Sequence, residues 1–227
     1  MNPRLCIRVL ALCAAAVLLA PAQGATTKEQ LAEAMSHDGL QKANVKGLDL
    51  MYTRPGATLA AYTRVKIDPI EVSFSKNWDP KRPGSNFRIS KEDREDIRTG
   101  VAKVVLEEFT RELQAKSGYQ VVTESGPDVL RVKATIVNLY VNAPDTQSPG
   151  VRTYVASAGE MSLVAELFDS ETGQVLARVV DRSEARNIGS MTWANSASNA
   201  FEARDIAAAW ARVLRQSLDK AKGIGKK

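Results

Sequence analysis

Two serines stand three residues before lysines, Ser73 with Lys76 and Ser217 with Lys220. At a helix start this spacing puts both side chains on one face, where a lysine can activate a serine nucleophile. Patterning puts Ser73 on a strand and Ser217 on a helix tail, and the companion S-D-N and K-T-G motifs are absent. The single histidine, His37, has no HExxH or G-x-S-x-G around it, so zinc and Ser-His-Asp chemistry lack their parts. No glycine-rich phosphate loop occurs. The acids Glu92, Asp93, Glu95 and Asp96 do not follow a calcium-loop spacing and are explained by the positive end of the helix they begin. Asp145 and Asp169 are isolated turn residues. The sequence therefore predicts no catalytic residue, cofactor or metal site, and the protein is expected not to be an enzyme.

One group keeps a binding claim. Trp78 with Lys76, Lys81 and Arg82 sets an aromatic among cations in a loop, a composition that contacts sugars, lipid headgroups or a protein partner. The competing reading folds the indole onto the edge of the sheet. Trp193 invites the same comparison with less support, and the basic tail Lys220, Lys222, Lys226 and Lys227 is a weak signal for an anionic surface.

The elements that must position these residues follow from periodicity. A short helix capped by Thr26 or Thr27 runs past Leu31 and Met35 and ends near Asp38-Gly39. An irregular lead-in reaches a Pro55-Gly56 turn. Tyr62 to Phe74 reads as one strand whose apolar parity changes at Asp68-Pro69, which requires a bulge or kink. Ser90 with Asp93 is a capping box, and Ile97, Val101, Val105, Phe109 and Leu113 recur at helical spacing up to Gly118. Tyr119 to Thr123 and Val129 to Val141 read as strands, followed by a long excursion from Asn142 to Gly159. Strands around Met161 to Leu167 and Val175 to Val179 form a hairpin through Asp169 to Gly173. A second long helix carries Ile206, Trp210, Leu214 and Leu218. The order predicts an α+β fold, a largely antiparallel sheet of about five strands with two long amphipathic helices packed on it.

Arg4 and Arg8, the apolar run Val9 to Ala20, and small residues at Ala20, Ala22 and Gly24 form a secretory signal peptide. Residues 1–24 are thus a leader, cleaved after Ala22 or Gly24, and residues 25–227 a single domain whose lead-in covers 25–57. The leader's apolar run is shorter than the roughly 20 residues of a membrane span, so no transmembrane helix is expected after its removal. Cleavage before Cys13 with lipid attachment is the alternative, although Leu12 is bulky for that processing. Cys6 and Cys13 both lie in the leader, which removes disulfides and thiolate chemistry from the exported chain. The net charge of +5 becomes +3 without the leader's arginines, with no basic concentration of the kind nucleic-acid binding needs.

Asp38-Gly39-Leu40, Lys46-Gly47-Leu48-Asp49, Tyr52-x-Arg54-Pro55-Gly56-Ala57, Tyr62, Asp68-Pro69-Ile70-Glu71-Val72-x-Phe74 and Lys76-x-Trp78 resemble the uncharacterised family catalogued as domain of unknown function 3313. The resemblance implies an exported envelope protein of Gram-negative bacteria, many of whose relatives are lipoproteins, with no assigned activity. Element order also resembles small α+β envelope domains of curli-secretion and synthase-activator lipoproteins, at the level of fold only. Together these readings point to a periplasmic binding or assembly module whose partner is an envelope protein or an anionic envelope surface. A small-molecule or lipid carrier is the alternative.

Overall fold

The computed structural model describes residues 28–78, 89–141, 153–155, 159–184, 192–194 and 196–224. The leader, the segment 79–88 and most of 142–158 lie outside them. Three helices are present among the described residues: α1 (Lys28–Ser36), α2 (Lys91–Gln114) and α3 (Ser196–Ala221). The strands are β1 (Gln41–Ala43), β2 (Leu50–Thr53), β3 (Arg64–Ile67), β4 (Glu71–Phe74), β5 (Gln120–Val122), β6 (Val129–Val141), β7 (Thr153–Val155), β8 (Gly159–Asp169), β9 (Val175–Glu184) and β10 (Thr192–Ala194). Eight of them form one mixed sheet in the order β1-β2-β9-β8-β6-β3-β5, with β4 also on β6, while β7 and β10 pair separately.

The α+β class is as the sequence predicts, but the sheet is larger and mixed. β3 and β4 both run parallel to β6, and β5 parallel to β3. The cause is α2, inserted between β4 and β5: a helical crossover carries the chain back to the same end of the sheet, which a tight hairpin cannot do. The lead-in is not irregular throughout, because β1 and β2 extend the sheet. β2 shows no alternation because both of its faces are covered. Met51 enters the main core, and Tyr52, on the opposite face, packs with Met35 and Leu40.

Local signals translate directly. Ser90 Oγ accepts from Asp93 N at 3.0 Å while the Asp93 carboxylate accepts from Ser90 N at 3.1 Å, a reciprocal cap that starts α2. The parity change at Asp68-Pro69 is a bulge. Three residues, 68–70, face two on β6, so Val65 and Val72 both stay buried. A second irregularity interrupts β6 between Val137 and Tyr140, where Asn138 has φ 55°. The β8–β9 turn is closed by Asp169, whose Oδ1 accepts from the amides of Glu171 and Thr172 and from Thr172 Oγ1.

One face of the sheet carries Leu130, Val132, Ile136, Leu163 and Leu167 into a core completed by Phe109 and Leu113 of α2 and Trp210 of α3. Ala207, Ala208 and Ala211 lie buried on α3, small enough to let the two long helices approach closely. The opposite face alternates charge and partly buried apolar residues, with α1 seated over β2 and β9.

Candidate functional site

The cationic loop begins where β4 ends. Ser75 N donates to Leu139 O at 2.9 Å, holding the chain on β6, and Trp78 N donates to Ser75 O at 3.0 Å, closing a turn that exposes Lys76 and Asn77. The turn drives Trp78 inward. Its ring stacks on Phe74, four residues earlier, with centroids 4.2 Å apart and planes 4° from parallel. Its Nε1 donates to Val141 O at 2.9 Å, and the Arg94 guanidinium of α2 lies 4.9 Å from the ring centroid. Arg98, one turn on, lies 6.0 Å from Phe74. The indole is 4% exposed, so it is an anchor rather than a contact surface, and the folded-in arrangement holds. Its N–H is satisfied and its face is taken by a cation, which is how a tryptophan is buried at low cost.

Of the four residues singled out, Lys76 is exposed at this anchored turn, Trp78 is buried beneath it, and Lys81 and Arg82 lie outside the described residues. Phe74, Arg94 and Arg98, the partners of the tryptophan, are not among the residues predicted from the sequence. The four-residue spacing from Phe74 to Trp78 is the available signal. Arg94 carries none, since its approach depends on how α2 docks.

The other candidates resolve into structural roles. Ser217 Oγ donates to Val213 O at 2.8 Å within its own helix, which commits its proton. Ser73 Oγ reaches Ile136 O at 3.5 Å. His37 is exposed and pairs with Asp38 at 3.0 Å. Among the described residues two acids are buried. Asp181 accepts from Trp210 Nε1 at 2.6 Å and from Asp49 N at 2.9 Å, tying α3 and the lead-in to β9. Glu108 Oε2 on α2 has Arg111 Nη2 at 2.5 Å. Among the described residues no group of three or more acidic, histidine or cysteine side chains is placed to hold a metal, and no helix is long and apolar enough to cross a membrane.

Residues 27–214 match the family described as "Protein of unknown function (DUF3313)". The chain belongs to this family. The matched residues include the segment from Asp38 to Trp78, which forms β1 to β4 and the tryptophan anchor. No curated protein matches. Among solved structures the chain is similar to a PelC dodecamer from Paraburkholderia phytofirmans, at 9% identity and TM-score 0.38 over 73% of this chain and 96% of that one. It is also similar to protein XCC0632 from Xanthomonas campestris, of family DUF330, at 13% identity and TM-score 0.33 over 75% and 87%. A third is the hypothetical protein CT253 from Chlamydia trachomatis, at 10% identity and TM-score 0.35 over 71% and 96%. TM-scores this low leave all three without bearing on function.

Proposed function

We propose that this DUF3313 protein is an exported, non-enzymatic binding or assembly module of the cell envelope, and that the cations of segment 76–82 contact its envelope partner. The leader with Arg4, Arg8 and the apolar run Val9 to Ala20 supports export to the periplasm. The observation that carries the binding claim is the anchoring of Trp78. By burying the indole against Phe74, Val141 and Arg94, the fold fixes where the segment leaves the core and turns Lys76 outward. A fixed exit lowers the entropy lost when exposed side chains engage a partner. The cations then provide attraction toward anionic groups without a buried charge. Ser217, spent on its own helix, supports a role without nucleophilic chemistry.

The test is capture of envelope components by the tagged protein, comparing wild type with the triple variant Lys76→Glu, Lys81→Glu, Arg82→Glu. Trp78 stays untouched, because its loss would disturb the core. The variant is expected to keep its circular dichroism and melting temperature and to lose the captured component. Equal capture by a folded variant would overturn the assignment of the segment.

A further inference from the structure

Arg94 does more than cover the indole. Its guanidinium lies 4.9 Å from the Trp78 ring centroid, and its side chain has neither ion pair nor hydrogen bond among the described residues. The aromatic ring holds that planar group flat while its N–H donors stay unclaimed. Lys91, one turn earlier on α2, and Lys76, two residues before the indole, are exposed and likewise unpaired among the described residues. Arg98, one turn later over the Phe74 ring, has an acid, Glu95 at 2.5 Å. The other acids of this turn do not compensate the rest. The Asp93 carboxylate accepts from Ser90 N at 3.1 Å, and Glu92 and Asp96, two residues either side of Arg94, do not face it around the helix. Lys91, Arg94 and Arg98 thus recur at three and four residues, a spacing at which like charges repel. This costs the fold stability and leaves a positive face short of counter-charge.

We infer, on the reading of segment 76–82 as the envelope contact, that Arg94 with Lys91 and Lys76 forms a binding site for a phosphate group, carried by a membrane lipid or free in solution. A guanidinium held flat presents paired N–H groups that match two oxygens of one phosphate. The two ammonium groups suit the remaining oxygen and a charge beyond one, whereas a lone carboxylate is satisfied by the arginine itself. Because the Trp78 N–H is bonded to Val141 O and its ring is stacked on Phe74, the guanidinium is oriented before a ligand arrives.

Tryptophan emission reads the site, since the Arg94 cation lies on the Trp78 ring. The purified protein is titrated with inorganic phosphate against sodium chloride of equal ionic strength. In parallel it is sedimented with vesicles of phosphatidylglycerol and phosphatidylcholine in equal parts, or of phosphatidylcholine alone, whose phosphate is matched by choline. Arg94→Met, which still covers the ring, is compared with wild type, and both melting temperatures are measured. Wild type is expected to bind the phosphatidylglycerol vesicles, and Arg94→Met to bind them about tenfold more weakly while melting close to wild type. A phosphate-specific emission change that is lost in Arg94→Met, without vesicle binding, supports the same site with the free anion as its ligand. Failure of wild type to bind either probe would overturn the inference, even if Arg94 proved necessary for capturing an acidic protein. So would equal binding by the two proteins, with or without a lowered melting temperature in Arg94→Met, because the arginine would then only cover the indole. Arg94-dependent phosphate binding together with undiminished capture by the triple variant of segment 76–82 would sustain this site and sink the reading of that segment alone.

Discussion

Two helix ends in this molecule are closed by the same chemistry on very different foundations. At the end of α2, Arg215 of α3 points Nη1 at the carbonyls of Glu112 and Ala115, 2.7 and 2.5 Å away, with Leu113 O at 3.3 Å. At the end of α1, Arg178 does the same for His37 and adds Asp38. In both cases a cation from a distant part of the chain donates to carbonyls at a helix end. Beneath α2, however, lie Val105, Phe109 and Leu113, nearly inaccessible and continuous with the sheet core. Beneath α1 lie Met35 and its small cluster. The cap is therefore worth what it is coupled to. At α2 it is part of global stability, and at α1 it governs only whether that helix stays docked.

The sharpest way to break this comparison is to remove one apolar side chain from each helix. Leu113→Ala is expected to cost about 2–5 kcal/mol, the range for deleting a fully buried leucine, and to move the whole unfolding transition. Met35→Ala should leave the global denaturant midpoint close to wild type and act only on exchange in α1. A shared midpoint shift would place α1 in the main cooperative unit. Next in size is Gly118→Ala. A Cβ there would stand 2.3 Å from Leu113 O and 2.8 Å from Arg215 Nη1, so the closed end of α2 must move. About 1–3 kcal/mol is expected, as for other overpacked sites, measured by urea denaturation. An unchanged midpoint would mean that this end is looser than its contacts.

How much of this was legible in the sequence depends on how far apart the interacting residues are. The capping box at Ser90, the helical period through Leu113 and the Asp169 turn are local, and each survives unchanged in the fold. The bulge at Asp68-Pro69 was legible because a parity change is itself a local record of a register shift. The second bulge leaves the same record, since burial passes from Ile136 to Leu139 and Val141, but the long strand hid it. Strand direction was readable in principle from the strand, helix, strand order around α2, which favours a parallel crossover. The site was less legible. Trp78 looks like a contact residue among cations until the carbonyl of Val141, 63 positions away, and Arg94 of α2 are brought to it. Arg178 and Arg215 gave no signal, because an arginine's role as a cap is set by which carbonyls the fold delivers.

The closed end of α2 also has a pH signature. Tyr119 OH donates to Asp219 Oδ1 at 2.9 Å, and burial, then the aspartate, push its phenol well above the ordinary value. Tyr62, which donates to Asp169 Oδ2 at 2.9 Å, is pushed by burial and then by that hydrogen bond from 10.0 to about 12. A raised folded-state value means that the neutral phenol is favoured by folding. The resulting stability is complete below pH about 10 and is lost as pH rises toward 12. For Tyr62 this is on the order of 2 kcal/mol. Ultraviolet absorbance titration is expected to show the Tyr62 and Tyr119 phenols ionising late and together with loss of fold. Tyr62→Phe should remove one late step and flatten the alkaline decline. Ionisation of both near the ordinary value would separate these phenols from stability.

The smallest effect isolates the caps themselves. Arg215→Lys keeps the charge but loses the planar group that faces the carbonyls through Nη1 and Asp219 Oδ2, 3.5 Å away, through Nε at the same time. About 1 kcal/mol of global stability is expected to go, seen as a lower urea midpoint with an unchanged slope. Arg178→Lys makes the identical chemical change at α1, where the fork also serves Glu166, and should leave the midpoint within error of wild type while speeding exchange at residues 32–36. Because the two substitutions are the same, any difference in their global effect comes from the packing beneath each helix. Equal shifts would mean that the arginines, and not the cores they are coupled to, set the stability of these helix ends.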